Sequence, residues 1–425
     1  MSSLSSSMQI AISALTAQSA AVSTISNNLA NSETIGYKTT DASFYSLVTG
    51  TNSAHSFAGA GVVASPAQNI AQQGLIVGTQ NETDLAVDGD GFFVVADSAG
   101  SNILAYTRSG DFFTDANGYL VNSNGYYLQG YPTDRDGAIT TSQSAAGLEA
   151  INTANVNGTA VATSELMLQA KLPADAVVGD SVEAEVEIFD SLGVAHSLTL
   201  TYTKTADNEW TMSVADPVLA SDGSTVSGTA SGGGVISFNT DGTFNAIVPD
   251  PADITVTGWS SGAADSAIAY NPGTTGKNDG LSQYANSGSD DEPEIDVKRV
   301  TQDGVRYGAF YSATVAEDGL VYANFDNGIS YPIYQIPLAT FPNANGLNAV
   351  SGGAYMPTTA SGNQTLVLPG MAGAGMVFSG ALESSTVDTA DEFSKLITAQ
   401  QAYSAASEII NTTQEMFDDL MNAKR

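Results

Sequence analysis

The sequence predicts a mainly β protein with long terminal α-helices: nested β domains lie between N- and C-terminal helices that pair as a coiled-coil-like inner domain. Apolar residues recur at helical spacing near both ends of the chain. Between the ends, apolar and polar residues alternate with a period of two, which is typical of strands with one buried face. These patterns predict the order helix, β domain, inserted β domain, β domain, helix.

The N-terminal helix is predicted because residues 2–29 contain neither proline nor glycine. One face has a heptad-like repeat, and it carries Ala11, Leu15, Gln18, Val22, Ile25 and Leu29. Asn27, Asn28 and Asn31, followed by Gly36, indicate the end of the helix, since Asn and Gly tolerate the left-handed conformation beyond a last turn.

The C-terminal helix is predicted from Ala390 to Met421, with Thr389 and Glu392 at the spacing of a capping box. Its apolar stripe consists of Leu396, Ala399, Tyr403, Ala406, Ile410, Thr413, Phe417 and Leu420. A stripe this narrow on so long a helix favours packing between chains, although pairing within one chain gives the same periodicity. The predicted assembly surface consists of Leu15, Val22, Ile25 and Leu29 on the first helix and Leu396, Tyr403, Ile410 and Phe417 on the second.

The β region divides into domains at stretches rich in Gly, Ser, Asn and Asp, residues 221–235 and 260–292. Its clearest strand is 182–189, where apolar residues alternate with glutamates. The predicted domains are 1–31 (N-terminal helix of the inner domain), 32–80 (hinge or linker), 81–145 plus 291–382 (β domain), 146–290 (inserted outer β domain) and 383–425 (C-terminal helix of the inner domain).

Composition excludes several function classes. The chain has 45 acidic and 12 basic side chains and a net charge of −33, which argues against binding nucleic acid or anionic lipid. It has no cysteine and only two histidines, His55 and His196, so few residues are available to form a zinc site or a Ser-His triad. We identify no catalytic residue, cofactor-binding residue or metal ligand, and we predict that the protein is not an enzyme and has no cofactor.

The sequence also predicts no membrane-spanning helix, because it contains no run of eighteen apolar residues. The nearest candidate, residues 366–382, contains Pro369 and is predicted to be strand or irregular structure. Residues 1–32 contain no Lys or Arg, unlike the start of a secretory signal. Export, if it occurs, would use a route without a cleaved signal peptide.

Two acidic turns raise a calcium hypothesis. Asp88-Gly89-Asp90-Gly91 and Asp134-Arg135-Asp136-Gly137 each resemble part of an EF-hand loop. The register fails, because placing Gly137 at the loop glycine puts Pro132 at the first ligand position, and placing Gly91 there puts Ala86 in it. Asp-Gly is also a common turn dipeptide, so ordinary turns are favoured.

Several motifs are more specific than the composition. They are Asn27-Asn28-Leu29-Ala30-Asn31 with Thr34, Gly36, Tyr37 and Lys38; Asp88-Gly89-Asp90-Gly91-Phe92-Phe93-Val94; Tyr106-Thr107-Arg108-Ser109-Gly110-Asp111-Phe112; Phe189-Asp190-Ser191-Leu192-Gly193 with His196; and Gly380-Ala381-Leu382-Glu383. Spread over nearly the whole chain, they resemble the bacterial flagellar axial proteins, the rod and hook family. Two positions depart from the family pattern: Thr386 stands where Asn is usual and Gln401 where Arg is usual.

The resemblance implies a structural subunit that polymerises with copies of itself into the flagellar hook, a flexible universal joint that transmits torque from rod to filament. Residues 27–38 would be the hinge between the inner helix and the β region. Implied partners are the rod, hook cap and hook–filament junction proteins and the flagellar type III export apparatus, and the implied location is the extracellular hook and basal body. A distal rod-type axial protein, a secreted calcium-stabilised β adhesin and a carboxylate glycosidase remain alternatives.

Overall fold

The computed structural model describes residues 2–48, 59–101, 103–154, 156, 158–250, 252–285 and 293–423. The chain divides into two compact units. The first unit comprises Met1–Val156, Ser312–Asn324 and Ser330–Arg425, and the second comprises Asn157–Tyr311 and Phe325–Ile329. The predicted domain limits remain a prediction, and the one between residues 290 and 291 lies outside the described residues.

The first unit contains two helices and a set of mostly short strands. The helices are α1 (Ser2–Ala30) and α2 (Thr389–Ala423). The strands up to the second unit are β1 (Thr40–Val48), β2 (Gly59–Gln68), β3 (Ile76–Gly78), β4 (Leu85–Asp88), β5 (Phe92–Ala96), β6 (Leu104–Thr107), β7 (Phe112–Thr114), β8 (Leu120–Asn122), β9 (Tyr127–Pro132) and β10 (Glu149–Ala150).

The second unit is built from strands. They are β11 (Thr159–Val161), β12 (Glu165–Pro173), β13 (Ser181–Phe189), β14 (Ala195–Ala206), β15 (Glu209–Val214), β16 (Val218–Leu219), β17 (Thr229–Ser231), β18 (Gly233–Phe238), β19 (Phe244–Val248), β20 (Ala252–Thr257), β21 (Ser266–Asn271), β22 (Ser282–Tyr284), β23 (Asp296–Gln302) and β24 (Val305–Gly308).

The chain continues through β25 (Phe310–Val315), β26 (Leu320–Phe325), β27 (Ser330–Gln335), β28 (Leu338–Thr340), β29 (Asn348–Val350), β30 (Ala354–Met356), β31 (Thr365–Val367), β32 (Met376–Ser379) and β33 (Ala381–Glu383).

The two terminal helices pack against each other, which confirms the predicted fold class. They are antiparallel, because Asn28 at the end of α1 contacts Glu392 at the start of α2. The buried residues of α2 recur every seven positions, which is the coiled-coil spacing, and they are Glu392, Ala399, Ala406 and Thr413. On α1 the buried apolar residues are Ala11, Ala17, Ala21 and Ile25. Small residues dominate both sets, so the two backbones approach closely.

The predicted capping box at the start of α2 is wrong. Asp388 is the cap, and its Oδ1 accepts hydrogen bonds from the backbone N–H groups of Ala390 at 2.9 Å and Asp391 at 3.2 Å. The side chain of Glu392 does not turn back to the cap. It points instead to Asn28 and Lys395.

Residues 32–80 contain an antiparallel hairpin that the sequence analysis missed. Strands β1 and β2 pair from Thr40↔Gln68 onwards, and the hairpin lies along α1. The hydroxyl of Ser13 accepts a hydrogen bond from the Val62 N–H at 3.1 Å, which joins the helix to β2. The β1–β2 hairpin is therefore a third element packed beside the pair of helices.

The remaining strands of the first unit form its β domain, to which the two helices are joined. The main path of its sheet runs β25-β26-β27-β9-β5-β6-β30-β29. One core cluster combines aromatic and aliphatic side chains, including Phe92, Val94, Tyr106 and Tyr355. Residues 366–382 contain parts of β31, β32 and β33, as predicted for strand or irregular structure.

The second unit has two six-stranded sheets around one apolar core. One sheet has the main path β17-β20-β21-β12-β22 and the other β13-β14-β15-β18-β19. The predicted strand at 182–189 is confirmed as β13, in which Val182, Ala184, Val186 and Ile188 are buried, Phe189 is half-buried and the three glutamates are exposed. It pairs with β14 from Ser181↔Thr203 to Phe189↔Ala195.

One helix among the described residues, α1 over Ser6–Ala30, is long and apolar enough to cross a membrane by length and composition. It, and not the stretch 366–382, is the nearest such candidate. Core helices and signal sequences meet the same criterion.

Candidate assembly region

Asn28, in the predicted hinge motif, uses all of its hydrogen-bonding capacity inside the first unit. It is 1% exposed. Its Nδ2 donates to Thr40 O at 2.8 Å and to Glu392 Oε2 at 3.0 Å, and its Oδ1 accepts from the Tyr37 hydroxyl and the Thr40 N–H, both at 3.1 Å. One amide thus joins α1, β1 and the first turn of α2. Burial also raises the pKa of Tyr37.

Glu392 receives its second partner from within α2. Lys395 Nζ donates to Glu392 Oε1 at 2.9 Å and also pairs with Asp391 at 3.0 Å and Asp41 at 3.1 Å. Partial burial acts to lower the pKa of Lys395, but these three carboxylates raise it above its usual range. The start of α2 is therefore held to α1 by the hydrogen bond from Asn28 to Glu392 and to β1 by the ion pair of Lys395 with Asp41.

A second polar cluster, which we call the Glu383 cluster, lies where β33 leads to α2. The Glu383 carboxylate is 0% exposed. Its Oε1 accepts from Lys38 Nζ and from the Gly74 N–H at 2.7 Å, and its Oε2 accepts from Arg108 Nη1 at 3.0 Å. Three motifs that are far apart in sequence thus supply one ion cluster.

The Glu383 cluster holds two cations against one carboxylate. Arg108 also donates to the backbone oxygens of Val87 at 3.2 Å and Gly89 at 2.7 Å, and its guanidinium lies 5.2 Å from the Phe92 ring centroid. Burial lowers the pKa of Lys38, and the Glu383 carboxylate opposes that effect. Carbonyls and an aromatic face therefore compensate the second positive charge.

Gly36 and Gly110 bring these segments together because a side chain does not fit at either position. Gly36 has φ +67, and a Cβ there would lie 2.7 Å from Ser109 N. A Cβ at Gly110 would lie 1.7 Å from Leu85 O. Gly36 N–H also donates to Glu383 O at 2.8 Å, so the motif containing Lys38 is tied to β33 by its backbone as well.

The other residues of the predicted hinge motif are exposed or half-buried. Asn27, Ala30 and Thr34 are exposed, whereas Leu29 and Asn31 are half-buried. Asn31 Nδ2 donates to Asn27 O at 2.8 Å, and Thr34 Oγ1 donates to Asn31 Oδ1 at 3.1 Å, so these residues close the end of α1. Whether the motif acts as a hinge stays a prediction.

The residues of the predicted assembly surface differ in how far they are exposed in the structure. Ile25 is buried within the chain, and Tyr403 and Phe417 are 45% and 43% exposed. Leu15, Val22, Leu29, Leu396 and Ile410 are half-buried. The stripe missed other large apolar side chains that are exposed on the helices, namely Ile10, Ile12, Phe393, Ile397, Ile409, Met416 and Met421. Their role in assembly remains a prediction.

A groove of about 380 Å³ lies between α1, α2 and β1. Its walls include Ala21 and Ile25 from α1, Phe44 from β1 and Ala399 from α2. Glu392 and Lys395 are also among its lining residues. Its chemistry is that of a packing surface, since small and apolar side chains form most of the lining.

The acidic turns act as ordinary turns. Asp134 Oδ1 accepts from the N–H groups of Asp136 and Ala138, and Asp88 Oδ1 accepts from Gln73 Nε2. Within the described ranges, no three His, Asp or Glu side chains are grouped to hold a metal ion. Of the two histidines, His55 lies outside the described residues.

A Ser-His-Asp arrangement does occur in the second unit, formed by Ser227, His196 and Asp190. These residues are 1%, 0% and 0% exposed. No substrate reaches a hydroxyl buried to this degree, so the arrangement does not fit nucleophilic catalysis.

The sequence analysis quoted Lys38, Arg108 and Glu383 in motifs but missed their pairing. A signal was present, because residues 327–382 carry no charged side chain and Glu383 follows them directly, while Lys38 is the first basic residue of the chain. Isolated charges within charge-poor, apolar sequence indicate buried pairs.

The two departures from the family pattern have different surroundings. Thr386 Oγ1 accepts a hydrogen bond from the Thr39 N–H at 2.8 Å, so it ties the segment before α2 to the residue after Lys38. Gln401 is exposed on α2.

Comparison with known proteins accords with this architecture along the chain. Residues 8–38 match the family described as flagella basal body rod protein, 86–165 the flagellar hook protein FlgE/F/G D1 domain, 155–319 the flagellar basal body protein FlaE D2 domain, and 379–423 the flagellar basal body rod FlgEFG protein C-terminal family. All five motifs quoted above lie at least partly within these matches.

Full-length relatives give the same result. The chain is 33% identical to the flagellar hook protein FlgE of Brucella suis biovar 1 (strain 1330) and 32% identical to that of Rhizobium meliloti (strain 1021), over 100% of both chains in each case. It is 30% identical to the flagellar hook protein FlgE of Escherichia coli (strain K12), over 97% of this chain and 99% of that one. The chain therefore belongs to the FlgE family of flagellar hook proteins, the structural subunits of the bacterial flagellar hook.

Proposed function

We propose that this chain is a non-enzymatic subunit that polymerises through its helical pair into a bendable hook, which transmits torque from rod to filament. The observation that carries the proposal is the set of large apolar side chains that the pair leaves exposed. Phe393, Ile397 and Ile409 are 50%, 56% and 50% exposed, and Met416 is 61% exposed. Burying one such side chain fully stabilises an interface by about 1.5–3 kcal/mol.

The charge distribution supports burial of α1, the other helix of the pair, between subunits. Residues 1–32 carry no charged side chain, so α1 enters an interface without the cost of desolvating an ion. α2 does carry exposed acidic residues, among them Asp391, Glu408 and Glu415, and β13 in the second unit carries three exposed glutamates. The uncharged surface of α1 therefore suits burial against helices of other subunits.

Ile397→Glu tests the role of the helical surface. We expect the variant to raise the critical concentration for polymerisation at least tenfold, because it removes apolar burial and places a charge in the interface. Val177→Glu is the matched control, since Val177 is 70% exposed in the second unit. Sedimentation and electron microscopy after salting out measure the polymer. Polymerisation of Ile397→Glu at the native critical concentration would contradict the proposal.

We propose that the end partners of the polymer are the rod, the hook cap and the hook–filament junction proteins. An interface that repeats without closing leaves one uncovered copy at each end, and each end needs a different partner. The distal rod-type alternative fits less well, because the second unit is a large addition between β10 and β25 that the resemblance associates with hook subunits.

We further propose export by the flagellar type III apparatus without a cleaved signal peptide. Residues 1–32 lack the basic start of a secretory signal, and α1 is packed into the first unit through Asn28 and Ile25. Mass spectrometry of assembled hooks should find peptides from Ser2 to Ala30. Hook protein that begins after Ala30 would overturn this proposal and leave the polymerisation proposal standing.

A further inference from the structure

The groove between α1, α2 and β1 continues the contact surface of the two helices. Ala21, Ile25 and Ala399 are buried where the helices pack, and they also line the groove. Phe44 lines it from β1 and is 47% exposed. Its volume of about 380 Å³ falls within the range of about 300–1,000 Å³ that is usual for ligand pockets. The groove therefore has room for large apolar side chains.

The charged groups that line the groove already have partners within the chain. Glu392 accepts hydrogen bonds from Asn28 and Lys395. Lys395 also pairs with Asp41 and Asp391. An occupant of the groove therefore gains most of its binding energy from burial of apolar surface.

The opposite end of the helical pair, where α1 begins and α2 ends, exposes large apolar side chains that we call the apolar end. Ile10 and Ile12 on α1 are 40% and 47% exposed. Met416, Phe417 and Met421 on α2 are 61%, 43% and 55% exposed. Methionine fills irregular gaps well, because its side chain is unbranched and flexible. The apolar end thus matches the groove in its chemistry.

The carboxylates near the end of α2 do not interrupt the apolar end. Each residue of an α-helix is rotated by about 100° from the one before it. The three apolar residues of α2 in the apolar end therefore lie within about 80° of the direction of the buried Thr413. Glu415, Asp418 and Asp419 lie at least about 120° from it. The apolar side of α2 can thus enter a groove while these carboxylates stay outside.

The groove and the apolar end of one chain cannot meet. Ala402 lines the groove, and Met421 lies near the far end of the same helix. An α-helix rises about 1.5 Å per residue, so about 28 Å separate these two residues. Contact between the two surfaces therefore needs two copies of the chain. Such a contact leaves a free groove on one copy and a free apolar end on the other, so it can repeat without closing.

Charge favours the same occupant. At the groove one lysine, Lys395, serves three carboxylates, and two of them, Asp41 and Asp391, are exposed. This end of the helical pair therefore keeps an excess of negative charge. Lys424 and Arg425 follow the apolar end in the sequence and lie outside the described residues. A second copy thus offers both apolar side chains and the basic residues that complement the groove.

We propose that the apolar end of one copy inserts into the groove of the next copy, so that helical pairs join head to tail. This inference rests on the proposed polymerisation through the helical pair, and it adds which two surfaces meet. Every copy contributes one half of the contact at each end. The polymer therefore has a direction, with a free groove at one end and a free apolar end at the other.

Engineered cysteines test this contact directly, because the sequence has no cysteine of its own. Oxidation of assembled Ala402→Cys/Met421→Cys should give a ladder of disulfide-linked dimers, trimers and larger species on a non-reducing gel. A disulfide needs Cα atoms within about 7 Å, so the two cysteines of one chain cannot join each other. The two single variants are the controls and should give no linked species. Linked dimers from a single variant, or an assembled double variant without a ladder, would overturn the proposal.

Filling the groove gives a second test that needs no cross-link. Ala402→Trp places a large side chain at a half-buried position of the groove, so it should raise the critical concentration for polymerisation at least about tenfold. Ala206→Trp, at an exposed position of β14 in the second unit, is the matched control and should leave that concentration unchanged. Circular dichroism of both monomers measures whether the helices are kept, and the small Ala402→Cys change keeps the test open if tryptophan disturbs them.

The two proposals fail in different ways. Polymerisation of Ala402→Trp at the native critical concentration would contradict the head-to-tail contact. It would leave polymerisation through the helical pair standing, because that proposal is tested by Ile397→Glu on another face of α2.

Discussion

Glu383→Gln is expected to lower the free energy of unfolding of the first unit by about 3–5 kcal/mol, because it leaves two buried cations without their carboxylate. Lys38 and Arg108 have side chains that are 1% and 5% exposed, so water does not replace the lost charge. Calorimetry of the native chain and the variant measures the loss. Hydrogen exchange of the backbone amides in β33 and in the first turns of α2 tests whether this loss of stability occurs in the first unit.

A matched control and a double variant make this result specific. Glu183→Gln makes the same chemical change at an exposed position of β13, and it should alter stability by no more than about 0.5 kcal/mol. Adding Lys38→Met to Glu383→Gln removes one of the stranded cations and should recover part of the loss. A change below about 1 kcal/mol in Glu383→Gln, or strict additivity with Lys38→Met, would contradict the account of the cluster.

Asn28→Asp is expected to destabilise the first unit by about 4 kcal/mol at neutral pH, because it sets a second carboxylate beside Glu392. The present Nδ2 to Oε2 distance is 3.0 Å, and both residues are buried. The change keeps the shape of the side chain but removes the donors to Glu392 and Thr40. Calorimetry of both proteins over a range of pH measures the effect.

The pH dependence of this variant has a definite sign. Two carboxylates at this distance share a proton, which raises their pKa in the folded state above the unfolded values of about 4. The variant is therefore least impaired below about pH 4 and loses stability relative to the native chain as pH rises through the raised pKa. Asn27→Asp, at the exposed neighbouring position, should show neither the large loss nor its pH dependence. A loss that stays constant with pH would rule out the carboxylate pair as its cause.

Local pattern was sufficient to predict the elements that have one regular buried face. The alternation in residues 182–189 gives β13 within one residue, and the spacing of apolar residues gives both terminal helices. The reason is physical: a strand or helix with a single buried face repeats that face in its sequence. On α2 the predicted stripe includes Ala399, Ala406 and Thr413 of the buried heptad, while large apolar residues outside the stripe, such as Ile397, face outward.

Periodic patterns of this kind could not predict the polar clusters of the first unit. Lys38, Arg108 and Glu383 come from three separate segments, and periodicity describes only neighbours in the chain. The motifs identified these residues as distinctive without showing that they meet. The β1–β2 hairpin was missed because small and polar residues such as Ser43 and Ala64 weaken its alternation.

The contacts between the two ends of the chain also set an order of folding. Asn28 and Glu392 are 364 residues apart, and Lys38 and Glu383 are 345 residues apart. Contacts this distant in sequence form late, because the chain between them must first be ordered. A ribosome makes α1 before it makes the 35 residues of α2. Until α2 is made, α1 lacks the helix against which it packs in the folded chain, so a chain that stops before Thr389 cannot form the helical pair.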